Sequence, residues 1–204
     1  MSTWIKLCGL STQGDVDIAV ECGVQAVGFV FAKSARQVSP AHASSLVERV
    51  PDAIKTVAVM LRPSQRDVDE VLAEFRPDCL QADWQALAQI TLPDDVLALP
   101  VYRQGDGAKL DGMPKRFVYE GSLSGQGETV DWLAAKPFSV ERELVIAGGL
   151  HPDNVGEAIN VLSPFGVDVS SGIERERGVK DHARMRDFVA GVRDSETRAT
   201  ATML

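Results

Sequence analysis

Two consecutive strand candidates in this chain end in residues with little or no side chain. Residues 144–147 run into Gly148-Gly149, and 167–169 run into Ser170-Ser171-Gly172. Between them, Pro152 stands near a helix start and Asp153 and Asn154 can cap or charge the first turn. Val155, Ala158, Ile159 and Leu162 then share one helical face before Pro164-Phe165-Gly166 ends it. The stretch 143–174 therefore reads as one strand–helix–strand unit with both strand ends side by side. Free backbone N–H groups at those ends, with a helix N-terminus aimed at them, make a cup for a phosphate. Either turn alone is an ordinary glycine- or serine-rich turn, and it is their pairing that points to an anion. Three more side chains invite chemistry. Cys8 closes the run 4–8 beside Gly9, whereas Cys22 and Cys79 read as buried packing. Arg36, in the polar loop 33–37, is either a solvated charge or a bidentate captor of carboxylate or phosphate. Asp131, ahead of Trp132-Leu133, is either a helix cap or a working carboxylate.

The elements that must position these residues follow from apolar runs and their punctuation. Strands are expected over 4–8, 26–31, 55–61, 79–82, 96–102, 116–120, 144–147 and 167–169, with Pro100 disturbing the fifth. Helical patterns fill most gaps: 14–22 with Asp15 and Asp17 in its first turn, one opened by Ser39-Pro40, and one from Ser64 to Phe75. A last helix starts at Asp181. The Gly- and Asp-rich connection 105–114 leaves one thin layer, and 195–204 reads as a frayed, flexible tail beyond a catalytic domain over 1–194. Eight alternating units at this spacing favour a single closed (β/α)8 TIM barrel over an open sheet. In such a barrel function lies at the C-terminal ends of the strands, where Cys8, Arg36, Gln81, Asp131, Gly149 and Ser170 fall.

Bulk properties narrow the partners. With 204 residues and 45% hydrophobic content the chain can bury one real core. Against 21 Lys and Arg stand 29 Asp and Glu, a net charge of −8, which argues against nucleic acid or an anionic membrane. No apolar run is long enough to span a bilayer, and the start Met1-Ser2-Thr3-Trp4-Ile5-Lys6 does not read as a signal peptide. Three cysteines without metal-like spacing suit a reducing cytoplasm, and His42, His151 and His182 are too scattered for zinc.

Taken together, Lys6-Leu7-Cys8-Gly9-Leu10, Ser34-Ala35-Arg36-Gln37-Val38-Ser39, the segment 125–132, Ala147-Gly148-Gly149-Leu150-His151-Pro152-Asp153-Asn154-Val155 and Asp168-Val169-Ser170-Ser171-Gly172-Ile173-Glu174 closely resemble phosphoribosylanthranilate isomerase, a barrel enzyme of tryptophan biosynthesis. Gly178-Val179-Lys180-Asp181 extends the match. The resemblance implies Cys8 as general base and Asp131 as general acid of an Amadori rearrangement. It implies that Arg36 holds the anthranilate carboxylate and that Gly148, Gly149, Ser170, Ser171 and Gly172 receive the phosphate of a phosphosugar, with Lys6, Gln81 and Asp168 also at the substrate. One acid and one base suffice, so no metal or redox cofactor is expected. An ordinary thiol and carboxyl start in the wrong protonation states for these roles; a positive field from Lys6 would favour the thiolate, and burial or bound anions would raise Asp131. The chain departs from the family at Ala82-Asp83-Trp84, where His and Gly usually stand, at Val118-Tyr119-Glu120, usually Leu-Leu-Asp, and at Ala35. Competing readings are an isomerase of a related phosphoribosyl aminal, from histidine synthesis or with both specificities, and a non-catalytic phosphosugar-binding protein. Monomer and homodimer both remain open.

Overall fold

In the computed structural model, which describes residues 2–107, 111–122 and 130–202 (side chains of 199–202 excepted), the apolar runs become eight parallel strands closed into a ring. Element order is β1 (Trp4–Cys8), α1 (Gln13–Glu21), β2 (Ala26–Val30), α2 (Pro40–Val47), β3 (Lys55–Val59), α3 (Gln65–Glu74), β4 (Cys79–Asp83) and α4 (Trp84–Leu87). Then come β5 (Leu97–Arg103), β6 (Arg116–Glu120), α5 (Trp132–Glu141), β7 (Glu143–Ile146), α6 (Val155–Leu162) and β8 (Gly166–Val169). A 3-10 turn (Ser171–Ile173), a small hairpin of β9 (Glu174–Glu176) and β10 (Val179–Lys180), and α7 (His182–Thr202) complete the chain. Closure comes from β1 pairing with β8, in a register that sets Lys6 opposite Asp168.

Strand periodicity sorts the side chains into two layers. Ile5, Leu7, Val27 and Phe29 point outward and pack with the helices, and Phe29 meets Phe75 edge-on at 5.7 Å. Ala26, Val57, Leu99, Val101, Val118 and Val145 point inward and fill the ring. Lys6 and Cys8 lie two and four residues from Trp4, so they share the inward face of β1. Trp4 stacks on Phe165 at 6.3 Å, and the Arg116 guanidinium covers Phe165 at 4.1 Å, which closes the end opposite the active face.

Local chemistry explains most boundaries. Thr12 and Asp15 form a capping box at α1, Ser64 and Asp67 form another at α3, and Ser39 caps α2 ahead of Pro40. The second oxygen of Asp15 reaches His182 Nε2 at 3.0 Å, tying the first helix to the last. β5 runs straight through Pro100, because its pairing with β6 begins only at Val101. The layer after β4 is a single turn, where Trp84 lies flat on Tyr102 at 5.3 Å. α6 starts three residues beyond Pro152, since Asn154 donates to Gly149 O and accepts from His151 N, spending its side chain on the turn. The stretch expected to fray beyond Ser195 continues α7 to Thr202. Ser195 is buried, its hydroxyl bonds back to Gly191 O at 2.9 Å, and Glu196 accepts from Thr3 N.

Candidate active site

Inward-facing strand ends and the loops beyond them enclose a cavity of about 250 Å³ at the C-terminal mouth of the barrel. Cys8, Arg36, Gln81, Gly148, Gly149, Asp168, Ser170 and Ser171, all singled out in the sequence, line it together. Gly148 and Gly149 take φ of 86° and 65°, a left-handed pair that favours residues without a Cβ. Gly172 stands behind the cup. A Cβ there would sit 1.9 Å from Leu150 O, so the β8 turn packs directly on the backbone of the β7 turn. Gly172→Ala is therefore expected to force the turns apart, costing about 1–3 kcal/mol of stability. Thermal unfolding, with inorganic phosphate as a competitive inhibitor, measures both consequences.

Arg36 is positioned before any ligand arrives. Glu174 accepts from its Nε at 2.6 Å and its Nη2 at 3.0 Å, which leaves three of the five guanidinium N–H groups for another anion. Glu174 also accepts from Lys180 Nζ at 2.9 Å and Gly178 N at 3.2 Å. Burial would raise its carboxyl, but Arg36, Lys180 and the Gly178 amide more than offset this and bring it down to about 2. Its folded value lies below the ordinary 4.5, so its stabilisation is complete above that pH and is lost as pH falls towards 2. Melting curves of wild type and Glu174→Gln should accordingly lie apart at neutral pH and converge over that acid interval.

Cys8 is only 5% exposed and faces the cavity. Burial pushes its thiol up, against the pull of Lys6 and Lys180, so the positive field expected from Lys6 is present but outweighed. Lys6 itself is fully buried and outside the cavity lining. Its Nζ donates to Asp168 at 2.9 Å, one layer below the thiol. Gly28 leaves room for both: a Cβ there would meet Cys8 Sγ at 3.1 Å and Lys6 Nζ at 3.2 Å. Gln81 is 5% exposed, and its carbonyl oxygen lacks a protein partner where it lines the cavity. Asp131 stands elsewhere. It is exposed, lies outside the cavity lining, and its Oδ1 caps α5 by accepting from Leu133 N and Ala134 N. Its own N–H donates to Gln104 Oε1 at 3.2 Å, at the rim beyond β5. Most of the segment 125–132 that precedes and includes it lies outside the described residues.

Sequence reasoning left out one part of this mouth. Arg103 Nη1 lies 2.6 Å from Asp83 and Nη2 2.8 Å from Glu120, and Glu120 lines the cavity. Two of the family departures are thus one ion-paired group. Strand parity could have found it, because all three share the inward face with their strands' core residues. Arg177, on the hairpin turn, also reaches the cavity.

A closed parallel barrel with its cavity at the C-terminal mouth, a thiol at the end of its first strand and small-residue turns after its last two sets the protein among the barrel proteins whose sites lie on that face. A family model for N-(5'phosphoribosyl)anthranilate (PRA) isomerase matches residues 5–191. The chain belongs to this family. A relative of that name from Stenotrophomonas maltophilia is 36% identical, covering 99% of this chain and 96% of the relative. A solved phosphoribosylanthranilate isomerase in complex with reduced 1-(o-carboxyphenylamino)-1-deoxyribulose 5-phosphate is 28% identical with a TM-score of 0.75, covering 94% of this chain and 99% of that one. Monomers of the dimeric enzyme from Thermotoga maritima, at 27% identity and a TM-score of 0.77, cover the same shares.

Proposed function

We propose that N-(5′-phosphoribosyl)anthranilate is rearranged to the 1-deoxyribulose 5-phosphate product in this cavity, as a step of tryptophan biosynthesis, with Cys8 as base and Asp131 as acid. The observation that carries this reading is that one cavity joins the Cys8 thiol, the Arg36 guanidinium and both anion turns. The substrate has two anionic ends and a reacting sugar between them. Its phosphate meets the N–H groups of the Gly148-Gly149 and Ser170-Ser171 turns, and its carboxylate takes the N–H groups of Arg36 that Glu174 leaves available. The aryl ring then lies along Val30, Val59 and Met60, the apolar wall at the ends of β2 and β3.

Chemistry follows in two proton transfers. Asp131 gives a proton to the furanose ring oxygen, the bond from that oxygen to C1′ breaks, and the anthranilate nitrogen becomes an iminium. Cys8 removes the C2′ proton, the electron pair moves to the iminium, and the enolamine relaxes to the ketone. Gln81, with its unpaired carbonyl oxygen, is placed to accept from a sugar hydroxyl.

Loss of anthranilate fluorescence as the substrate converts is the direct test, paired with complementation of a tryptophan auxotroph lacking this isomerase. No conversion and no growth would reject the reading. Every group named comes from one chain, so monomer and homodimer are both compatible with it. The free thiols of Cys8, Cys22 and Cys79 support a cytoplasmic setting, and among the described residues no helix is long and apolar enough to cross a membrane.

A further inference from the structure

Lys180 is a buried ammonium for which the steps above have no use. Its side chain is wholly shielded from solvent, and Nζ donates to Ser170 O at 2.8 Å, to Ser170 Oγ at 3.3 Å and to Glu174 Oε1 at 2.9 Å. Through that one carboxylate it is joined to Arg36. Both ends of this relay lie over the residue that follows the thiol: a Cβ on Gly9 would sit 2.8 Å from Arg36 Cδ and 3.1 Å from Ser170 Oγ.

We propose that Lys180 is a positioning residue for the isomerisation, fixing Ser170 in the phosphate cup, steadying Arg36 through Glu174, and adding to the pull of Lys6 that draws Cys8 towards its thiolate. This rests on Cys8 being the base. The charged groups around the thiol are Lys6 on β1, Asp168 on β8, Arg36 beyond β2, and Glu174 with Lys180 on the hairpin. Lys6 and Asp168 form a contact pair in which Lys6 pulls on the thiol more strongly than Asp168 opposes it. Arg36, Glu174 and Lys180 comprise two cations on one carboxylate, which leaves one positive charge. Removing the ammonium removes that surplus and leaves Lys6 as the cation that still pulls on the thiol.

The thiol can be titrated without turnover by following its alkylation with iodoacetamide against pH, in the full chain carrying Cys22→Ser and Cys79→Ser. Lys180→Gln is expected to raise the Cys8 midpoint by about one pH unit and to weaken inhibition by inorganic phosphate. Lys180→Arg, which keeps the charge, should hold the midpoint at the wild-type value. A folded Lys180→Gln protein with a wild-type midpoint overturns the proposal. Should the Gln variant fail to fold, Lys180→Met, titrated in the same way, decides: a raised midpoint supports the role, and a wild-type midpoint overturns it. A wrong assignment of Cys8 as base would show separately, as turnover surviving in Cys8→Ala.

Discussion

Cys8→Ala is expected to retain no more than about one hundredth of wild-type kcat, the usual loss when a general base is removed. KM should change far less, because in the proposed binding mode the β7 and β8 turns and Arg36, not the thiol, hold the substrate's charged ends. The substitution keeps Cβ and removes one sulfur from a side chain that faces the cavity, so the barrel has little reason to unfold. A matching circular dichroism spectrum and melting temperature make the kinetic loss a statement about chemistry. Wild-type turnover in this variant would end the assignment. The intact enzyme carries the same claim in its pH profile. Burial holds the thiol above its ordinary value, so the base form grows with pH and kcat/KM should climb through the neutral range towards that raised value. In Cys8→Ala the climb should vanish. A wild-type profile already flat from pH 6 to 8 would contradict a titrating thiol with a raised pKa.

Much of this site could be read in the chain because barrel strands announce themselves locally. Each of the eight expected strands formed, since a segment buried on both faces needs little besides a short, mostly apolar stretch and a turn signal after it. The barrel rule then carried Cys8, Gln81, Gly149 and Ser170 to one mouth. What stayed hidden was pairing at long range. Lys6 looked like a residue that meets substrate, yet its partner Asp168 lies 162 positions away and becomes a neighbour only when β8 closes on β1. Arg36 and Glu174 are separated by 138 positions for the same reason. Glu174 and Lys180 stood inside recognised segments with no role attached, because nothing local says that a hairpin will fold back under Ser170. The end of α7 is not legible from composition. Ser195 continues the stripe of Met185, Phe188, Val189 and Val192, and a small hydroxyl that bonds back to its own helix can occupy such a position.

Asp131→Asn is expected to lower kcat at least about a hundredfold while leaving the melting temperature close to wild type. The position has one observed duty and one proposed duty, and this substitution separates them. As a helix cap, Asp131 accepts from Leu133 N and Ala134 N through Oδ1, which an asparagine oxygen does equally well. As an acid it must hand a proton to the furanose oxygen, which a carboxamide does not do. Asp131→Ala removes both functions and should add a stability loss of about 1 kcal/mol to the same kinetic defect. The rim location makes the contrast decisive, because Asp131 lies outside the cavity lining while Glu120, at the end of the strand that precedes α5, lies within it. Glu120 is ion-paired with Arg103 at 2.8 Å, an arrangement that suits a fixed carboxylate better than a proton donor. If Asp131→Asn turns over normally and Glu120→Gln does not, the acid belongs to the strand and not to the helix cap.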